Sequence, residues 1–551
     1  MEKKTCAKCS AMYDIEQEDV AFYQKMGSPI PVLCPDCRFK RRAQFRNERI
    51  LYSRTCDRCK KQIISVFPQK TPYTVYCIDC FATDDWDASA YGQEYDTNRP
   101  FFEQMDELIK RVPKKALGIT GGNNNINSEY TNASGFNKSC YLLFNSGYCE
   151  DTMYSRGLKD CRDTVDAYFG IDMERCYETV NVQKSSGVIF SRNVTNCVDS
   201  WFLESCVDCI NCFGCVNLRH KSYYWFNEQL IEDEYERRLA EIKGSYHKLC
   251  EMQKKFEKFV HQFPHRENNN MKSEDCTGDY IFESKGLRDC YEIIGGESCK
   301  YMFATKCIKD SYDILGNGYG ELFLDCVATG HANHVIGSYW VENSHDCEYC
   351  LFTHSSDNCI GCDGLKKGSF CILNKQYTEE EYHILREKIV NELKRDGEYG
   401  LFFPSHIAPF AYNESVAQDY MPLTKEEVLA QGYRWQDDLP MTTGKETVST
   451  GSLPDHIASV TPAITKEVLA CDQCKRNYKI TPQELSFYQK MSLPIPRLCF
   501  HCRHIDRIKR RGPMKLFNRN CAKCQKQIST TFAPDRPEIV YCESCYQQEV
   551  V

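Results

Sequence analysis

The pattern of apolar and polar positions changes along this chain, and each stretch predicts its own elements. Near the start, "PIPVLC" reads as extended chain, because Pro29 and Pro31 disfavour helix. A helix follows in "PDCRFKRRAQFRNER", with Pro35 suited to its first turn. "QIISVF" and "TVYC" read as two strands around a turn at Pro72. Residues 81–139 hold one amphipathic helix, "RPFFEQMDELIKRV", and a Gly/Asn-rich break, "GITGGNNNINS", that reads as a domain boundary. From Cys140 the style changes, and short apolar-aromatic stretches alternate with polar turns. Helical pattern returns at roughly 231–260 and 378–395, the second opening on Thr378 with Glu381 as a capping box. "PLTKEEVLAQGYRW" reads as one short capped helix, and "DDLPMTTGKETVSTGSLPD", from Asp437, as a polar linker. No run of 18 apolar residues occurs and "MEKKTCAKCS" has no apolar core, so neither a membrane span nor an export signal is expected.

The two ends repeat one another. "FYQKMGSPIPVLCPDCRFKRR" from Phe22 and "FYQKMSLPIPRLCFHCRHIDR" from Phe487 belong to a gapless alignment at an offset of 465, with 31 identities over 75 positions. Of those identities only eight are cysteines, so the match is an internal duplication. The first copy reads Cys6-x2-Cys9, Cys34-x2-Cys37, Cys56-x2-Cys59, Cys77-x2-Cys80. The second reads Cys471-x2-Cys474, Cys499-x2-Cys502, Cys521-x2-Cys524, Cys542-x2-Cys545.

A C-x2-C turn delivers two thiolates from one tight loop, and zinc takes four soft ligands in a tetrahedron. Eight such pairs therefore predict about four zinc ions per chain, each in a closed, structural site of four cysteines. Pairing in sequence order is the default expectation; the spacing leaves an interleaved cross-brace open. The local grammar of each end suggests a treble-clef-like finger followed by a zinc ribbon. The cytoplasm is the expected compartment for 36 cysteines in a long chain without an export signal.

Net charge is −8, unevenly spread. Residues 1–80 carry 15 Lys+Arg against 9 Asp+Glu, residues 466–551 carry 16 against 8, and the middle carries 38 against 60. Arg38, Arg42 and Arg46 share one face of the expected helix, as do Arg503, Arg507 and Arg511, with Lys40, Arg41, Arg49, Lys509 and Arg510 beside them. Arginine on a rigid helix suits phosphate, so nucleic acid or ribonucleoprotein is one expected partner. The alternative is that these cations offset the charge of the four-thiolate sites. Phe39 and Phe45 read as core.

The other 20 cysteines fall between 140 and 371. A motif Cys-x-(Asp/Glu)-(Ser/Thr/Cys)-apolar recurs at Cys149, Cys161, Cys176, Cys197 and Cys206, at intervals of 12, 15, 21 and 9 that read as irregular. Repeated short strands with small turn residues suggest a β-solenoid in which stacked cysteines serve as compact filler and the acid sits at a corner. The middle is itself duplicated, "CFGCVNLRHKSYYWFNEQLIEDEY" aligning with "CIGCDGLKKGSFCILNKQYTEEEY" at an offset of 147, and "SRGLKDC" at 155 echoing "SKGLRDC" at 284 at an offset of 129. Cys206, Cys209, Cys212 and Cys215 resemble a ferredoxin run in spacing, but Val216 stands where proline would be and the duplicate does not retain the set, so packed thiols are favoured over an Fe–S or other metal site. His331, His334, His345 and His354 have no fixed ligand spacing.

"YCIDC", "YCESC", "CFGCVNLR", "ILNKQYTEEEY" and "AYNESVAQDYMPLTKEE" together resemble a set of zinc-ribbon, Cys-rich-repeat proteins of candidate-phylum bacteria. The resemblance spans nearly the whole chain and implies zinc binding without implying an activity. Some relatives carry a CoA-transferase label, for which this sequence offers no alternating strand–helix pattern with a nucleotide site.

The expected fold is multidomain α+β, mostly β. It has tandem zinc-finger modules at 1–82 and 466–551, a linker with a short helix at 83–139, Cys-rich repeat halves with helical insertions at 140–265 and 266–436, and a second linker at 437–465. The expected function is a non-enzymatic zinc-binding scaffold that grips nucleic acid or ribonucleoprotein through the basic helices of its end modules, while its acidic body presents a surface to protein. The alternatives are a redox or metal-handling protein using the central thiols, and a solenoid-based enzyme. No phosphate loop, H-E-x-x-H or nucleophile elbow appears.

Overall fold

A backbone bend every third residue organises the middle of the chain. The computed structural model describes residues 2–119, 124–316 and 318–550; the Gly/Asn-rich break falls partly outside them, at 120–123. From Ala133 to Phe226, and again from Glu283 to Leu373, every third residue has a left-handed backbone. None of these positions is Val, Ile or Thr, for which that conformation is most strained, whereas Asp, Asn and Gly recur there. The residue after each bend turns inward. Cys140, Cys149, Cys161, Cys176, Cys197 and Cys206 all occupy such positions and are buried.

Between bends the chain pairs in parallel with itself twelve residues on. Val165 lies beside Tyr177, Arg192 beside Val180, and Phe213 beside Trp225. In the second stretch Tyr291 pairs with Phe303, Tyr312 with Leu324, and Cys347 with Cys359, itself paired to Cys371. The cysteine intervals of 12, 15, 21 and 9 are thus regular, all being multiples of three. The acids two residues after the motif cysteines (Asp151, Asp163, Glu178, Asp199 and Asp208) all sit at left-handed bends.

The chain divides into two compact units. Unit 1 combines Met1–Leu117 with Asn268–Asp437, and unit 2 combines Gly118–Glu267 with Asp438–Val551. Each contains one cysteine-paired end module and one parallel ladder, but the pairing is crossed: the first module belongs with the second ladder.

In unit 1 the helix Pro35–Ala43 packs on strands Glu297–Leu315 and Gly318–Val327. It is shorter than its sequence pattern predicts, so Arg46 lies beyond its end. Helix Phe101–Arg111 packs Phe101 and Phe102 against Tyr349, with ring centres 5.9 and 5.3 Å apart. The capping boxes at Thr378/Glu381 and Thr424/Glu427 start helices Glu379–Arg395 and Lys425–Ala430.

In unit 2 the corresponding helix Phe500–Arg511 packs on strands Val165–Glu174 and Tyr177–Ser186. The helical pattern at 231–260 forms two helices, Glu232–Ile242 and Tyr246–Val260, separated at Gly244, which has a φ of 82°. The polar stretch after Asp437 is tied to the second module, where Arg497 donates to the carbonyls of Thr450, Leu453 and Pro454.

Candidate metal centres

Each C-x2-C knuckle begins a tight turn in which the opening cysteine's carbonyl accepts the N–H of the residue four later, as in Ser10 to Cys6 and Lys475 to Cys471. The second pair of each set lies at a helix N-terminus, with Cys34, Cys77 and Cys499 as N-cap residues. This geometry gathers four groups in sequence order: Cys6, Cys9, Cys34, Cys37; Cys56, Cys59, Cys77, Cys80; Cys471, Cys474, Cys499, Cys502; and Cys521, Cys524, Cys542, Cys545. Within each group the sulfur atoms all lie within 4.8 Å of one another, which settles the pairing against a cross-brace.

The donor set fits a tetrahedral metal ion. Sulfurs bound at about 2.3 Å to a tetrahedral ion stand about 3.8 Å apart. Cys9–Cys34 is 3.6 Å, Cys59–Cys77 3.8 Å, Cys474–Cys499 3.7 Å and Cys524–Cys542 3.7 Å. The opening cysteine of each set shifts in the same direction. Burial pushes the opening thiols Cys6, Cys56, Cys471 and Cys521 up, but backbone N–H groups outweigh it and bring all four below the ordinary range. Cys34 N–H donates to Cys6 Sγ at 3.3 Å, and Cys77 N–H to Cys56 Sγ at 3.2 Å. With all four ligands supplied by protein, no position is left open for substrate.

The arginines beside these sites face inward. Arg38, Arg42, Arg46, Arg503, Arg507 and Arg511 are all buried, contrary to what a phosphate-reading helix requires. Four of them are paired with carboxylates of the ladders. Arg38 Nε meets Asp313 at 2.9 Å, and Arg42 Nη1 meets Asp313 at 3.1 Å and Asp325 at 2.6 Å. In unit 2 Arg503 Nε meets Asp166 at 3.2 Å, and Arg507 Nη1 meets Asp166 and Glu178 at 2.8 Å each. Arg46 pairs with Glu48, and Arg511 donates to the Gly512 carbonyl. Of their neighbours, Arg41 donates to the Phe403 carbonyl, Arg49 meets Asp419, Lys509 meets Asp506 and Arg510 meets Glu178.

The two networks are copies. Arginines matched at an offset of 465 hold carboxylates matched at 147: Asp313 corresponds to Asp166, and Asp325 to Glu178. Nothing in the sequence assigned these acids to the end modules. Burial lifts Asp166 to about 6 and raises Asp325 despite the guanidiniums beside them.

Among the described residues, Cys206, Cys209, Cys212 and Cys215 are not gathered into a metal-holding group. They take successive inward positions of one turn of the ladder and are fully buried. Each thiol lies between two carbonyls, Cys206 Sγ at 3.5 Å from Glu204 O and 3.4 Å from Cys215 O. His334 and His345 share Asp346, at 2.6 and 3.3 Å, while His354 meets Asn343 and His331 stacks on Tyr319. Phe39 packs near Phe303, and Phe45 on Phe402 and Phe403.

No protein-family model matches this chain, and no curated protein matches it. The reading of its function therefore rests on its own residues.

Proposed function

We propose that this chain is a non-enzymatic scaffold held in shape by four structural zinc ions. The observation that carries the reading is the sulfur spacing of 3.6–3.8 Å in four closed sets of cysteines. Zinc there would supply folding free energy rather than chemistry, fixing each knuckle against the helix that follows it. The first finger of each module fits a treble clef, with a helix carrying the second cysteine pair, and the second finger a zinc ribbon. The two parallel ladders fit β-solenoids, since their bends recur every three residues and their pairing every twelve. The modules use their arginines to grip the ladders, which favours a scaffold for protein over a reader of nucleic acid. Membership of the zinc-ribbon, Cys-rich-repeat set of candidate-phylum bacteria belongs to the same proposal.

Elemental mass spectrometry on untagged protein, with a visible spectrum alongside, tests it. The expected result is about four zinc per chain and no colour. Iron with visible absorption would replace structural zinc by a redox reading, and metal well below stoichiometry would remove the sites' structural role.

A further inference from the structure

Each end module sits on its ladder through contacts that recur in both units. Lys25 meets Asp310 at 3.1 Å in unit 1, and Lys490 meets Asp163 in unit 2. Arg38 lies over the Tyr301 ring at 5.3 Å, and Arg503 over the Tyr154 ring at 5.0 Å. Like the arginine–carboxylate networks, these pairs match at offsets of 465 in the modules and 147 in the ladders. They fix a common register, but by themselves they would let either module fit either ladder. Order in the chain favours the uncrossed arrangement, because the first ladder directly follows the first module and the second ladder comes only after it. The crossed arrangement therefore needs contacts that the two units do not share.

One is a buried ion pair. In unit 1 Lys300 Nζ donates to both carboxylate oxygens of Asp19 at 2.9 Å, with the two side chains 6% and 3% exposed. The counterpart of Lys300 is Met153, which is also buried, and the counterpart of Asp19 is Glu484. Glu484 is satisfied without a lysine. It accepts from the Tyr154 and Tyr488 hydroxyls at 2.8 Å each and meets Arg503 at 3.3 Å. On the first ladder, then, the first module would bury Asp19 against a thioether. The other contact is Arg41, whose Nε donates to the Phe403 carbonyl at 2.7 Å and whose guanidinium pairs with Glu398. Its counterpart is Asp506. On the second ladder, the second module would turn that carboxylate toward Glu398, like charge against like.

We propose that Lys300 and Arg41 sort the two modules between the two ladders. Each acts against one wrong pairing: Lys300 draws the first module away from the first ladder, and Arg41 reserves the second ladder for the module that carries it. The shared contacts supply the grip and these two supply the choice, as a charge left buried without its partner discriminates more strongly than a shared pair attracts. This goes beyond the scaffold reading and holds whichever metal fills the cysteine sites.

Zero-length carbodiimide coupling of dilute, full-length, zinc-loaded protein reads which module sits where. Lys25–Asp310 and Lys490–Asp163 are matched pairs with accessible lysines, and exchanged modules would couple Lys25 to Asp163 and Lys490 to Asp310 instead. Peptide mass spectrometry of the wild-type protein should find the crossed couplings alone. The variant carrying Lys300→Met, Met153→Lys, Arg41→Asp and Asp506→Arg keeps the net charge and moves both determinants. It should give the uncrossed couplings in the majority, and a crossed majority would overturn the proposal. Met153→Lys alone, coupled at intervals during refolding from urea with zinc, offers Asp19 a lysine on the first ladder while every native contact of Lys300 remains. Early Lys25–Asp163 coupling should rise at least about tenfold over wild type. A smaller rise would equally overturn the proposal, and this second measurement does not require the fourfold variant to reach a native state.

Discussion

Replacing Asp313 by asparagine removes one charge from a buried set that sums to zero. Arg38, Arg42, Asp313 and Asp325 have side chains 3%, 1%, 0% and 0% exposed, two cations against two anions. Without the Asp313 charge, the site keeps a net positive charge with almost no access to water. Breaking a buried pair in this way costs about 3–5 kcal/mol. Coulomb's law agrees: charge centres about 4 Å apart at an effective dielectric near 20 interact by about 4 kcal/mol. At about 1.4 kcal/mol per tenfold, local opening should become roughly 10² to 10³·⁵ times more frequent. Hydrogen exchange by mass spectrometry reads this in helix Pro35–Ala43 and strand Gly318–Val327, with helix Phe500–Arg511 of unit 2 as an unaltered control on the same chain. The double variant Arg38→Met with Asp313→Leu removes a cation and an anion together and leaves Arg42 on Asp325. It should regain most of the protection. A loss below tenfold in the single variant, or a double variant as weak as the two single effects added, would refute the charge-balance reasoning.

The remaining predictions concern the metal sites, the inward thiols and acid sensitivity. Stripping metal with a chelator should abolish exchange protection in helices Pro35–Ala43 and Phe500–Arg511 while the parallel ladders stay protected, since only the modules depend on the ion. Replacing Cys206, Cys209, Cys212 and Cys215 together by serine should leave metal content unchanged and preserve the strand signal in circular dichroism. Serine already serves at such positions: Ser200 Oγ donates to the Val198 carbonyl at 2.8 Å and accepts the Cys212 N–H at 3.0 Å. Buried His265 lies in strand Pro264–Arg266, which pairs with Ile539–Tyr541, and burial lowers it from 6.5 to about 4. The unfolded chain therefore binds the extra proton between those values, and stability falls as pH falls through that window. By pH 5.5 the loss is about 1.2 kcal/mol relative to pH 7. His265→Leu should be spared that loss in urea unfolding at pH 7 and 5.5; an equal acid-side drop in both proteins would show that His265 is not its source.

By itself, the sequence determined the features that depend on local spacing. Eight C-x2-C pairs at duplicated intervals specify four closed thiolate sets, because a two-residue turn leaves the paired sulfurs little freedom. The capping boxes at Thr378 and Thr424 were equally legible, since a cap is made within one turn of helix. The three-residue rhythm of the middle was also written in the sequence, in cysteine intervals of 12, 15, 21 and 9. It is hard to see there because inward positions accept Cys, Ser, Thr, Val and Leu alike, all of them compact and able to fill the same column.

Tertiary structure alone decided the partners. Helical spacing put Arg38 and Arg42 on one face, and that face suited phosphate as well as carboxylate. What they meet is Asp313, some 270 residues away, brought beside them by the crossed pairing of module and ladder. A guanidinium is satisfied by whichever anion the fold places within reach, and no local pattern encodes that distance.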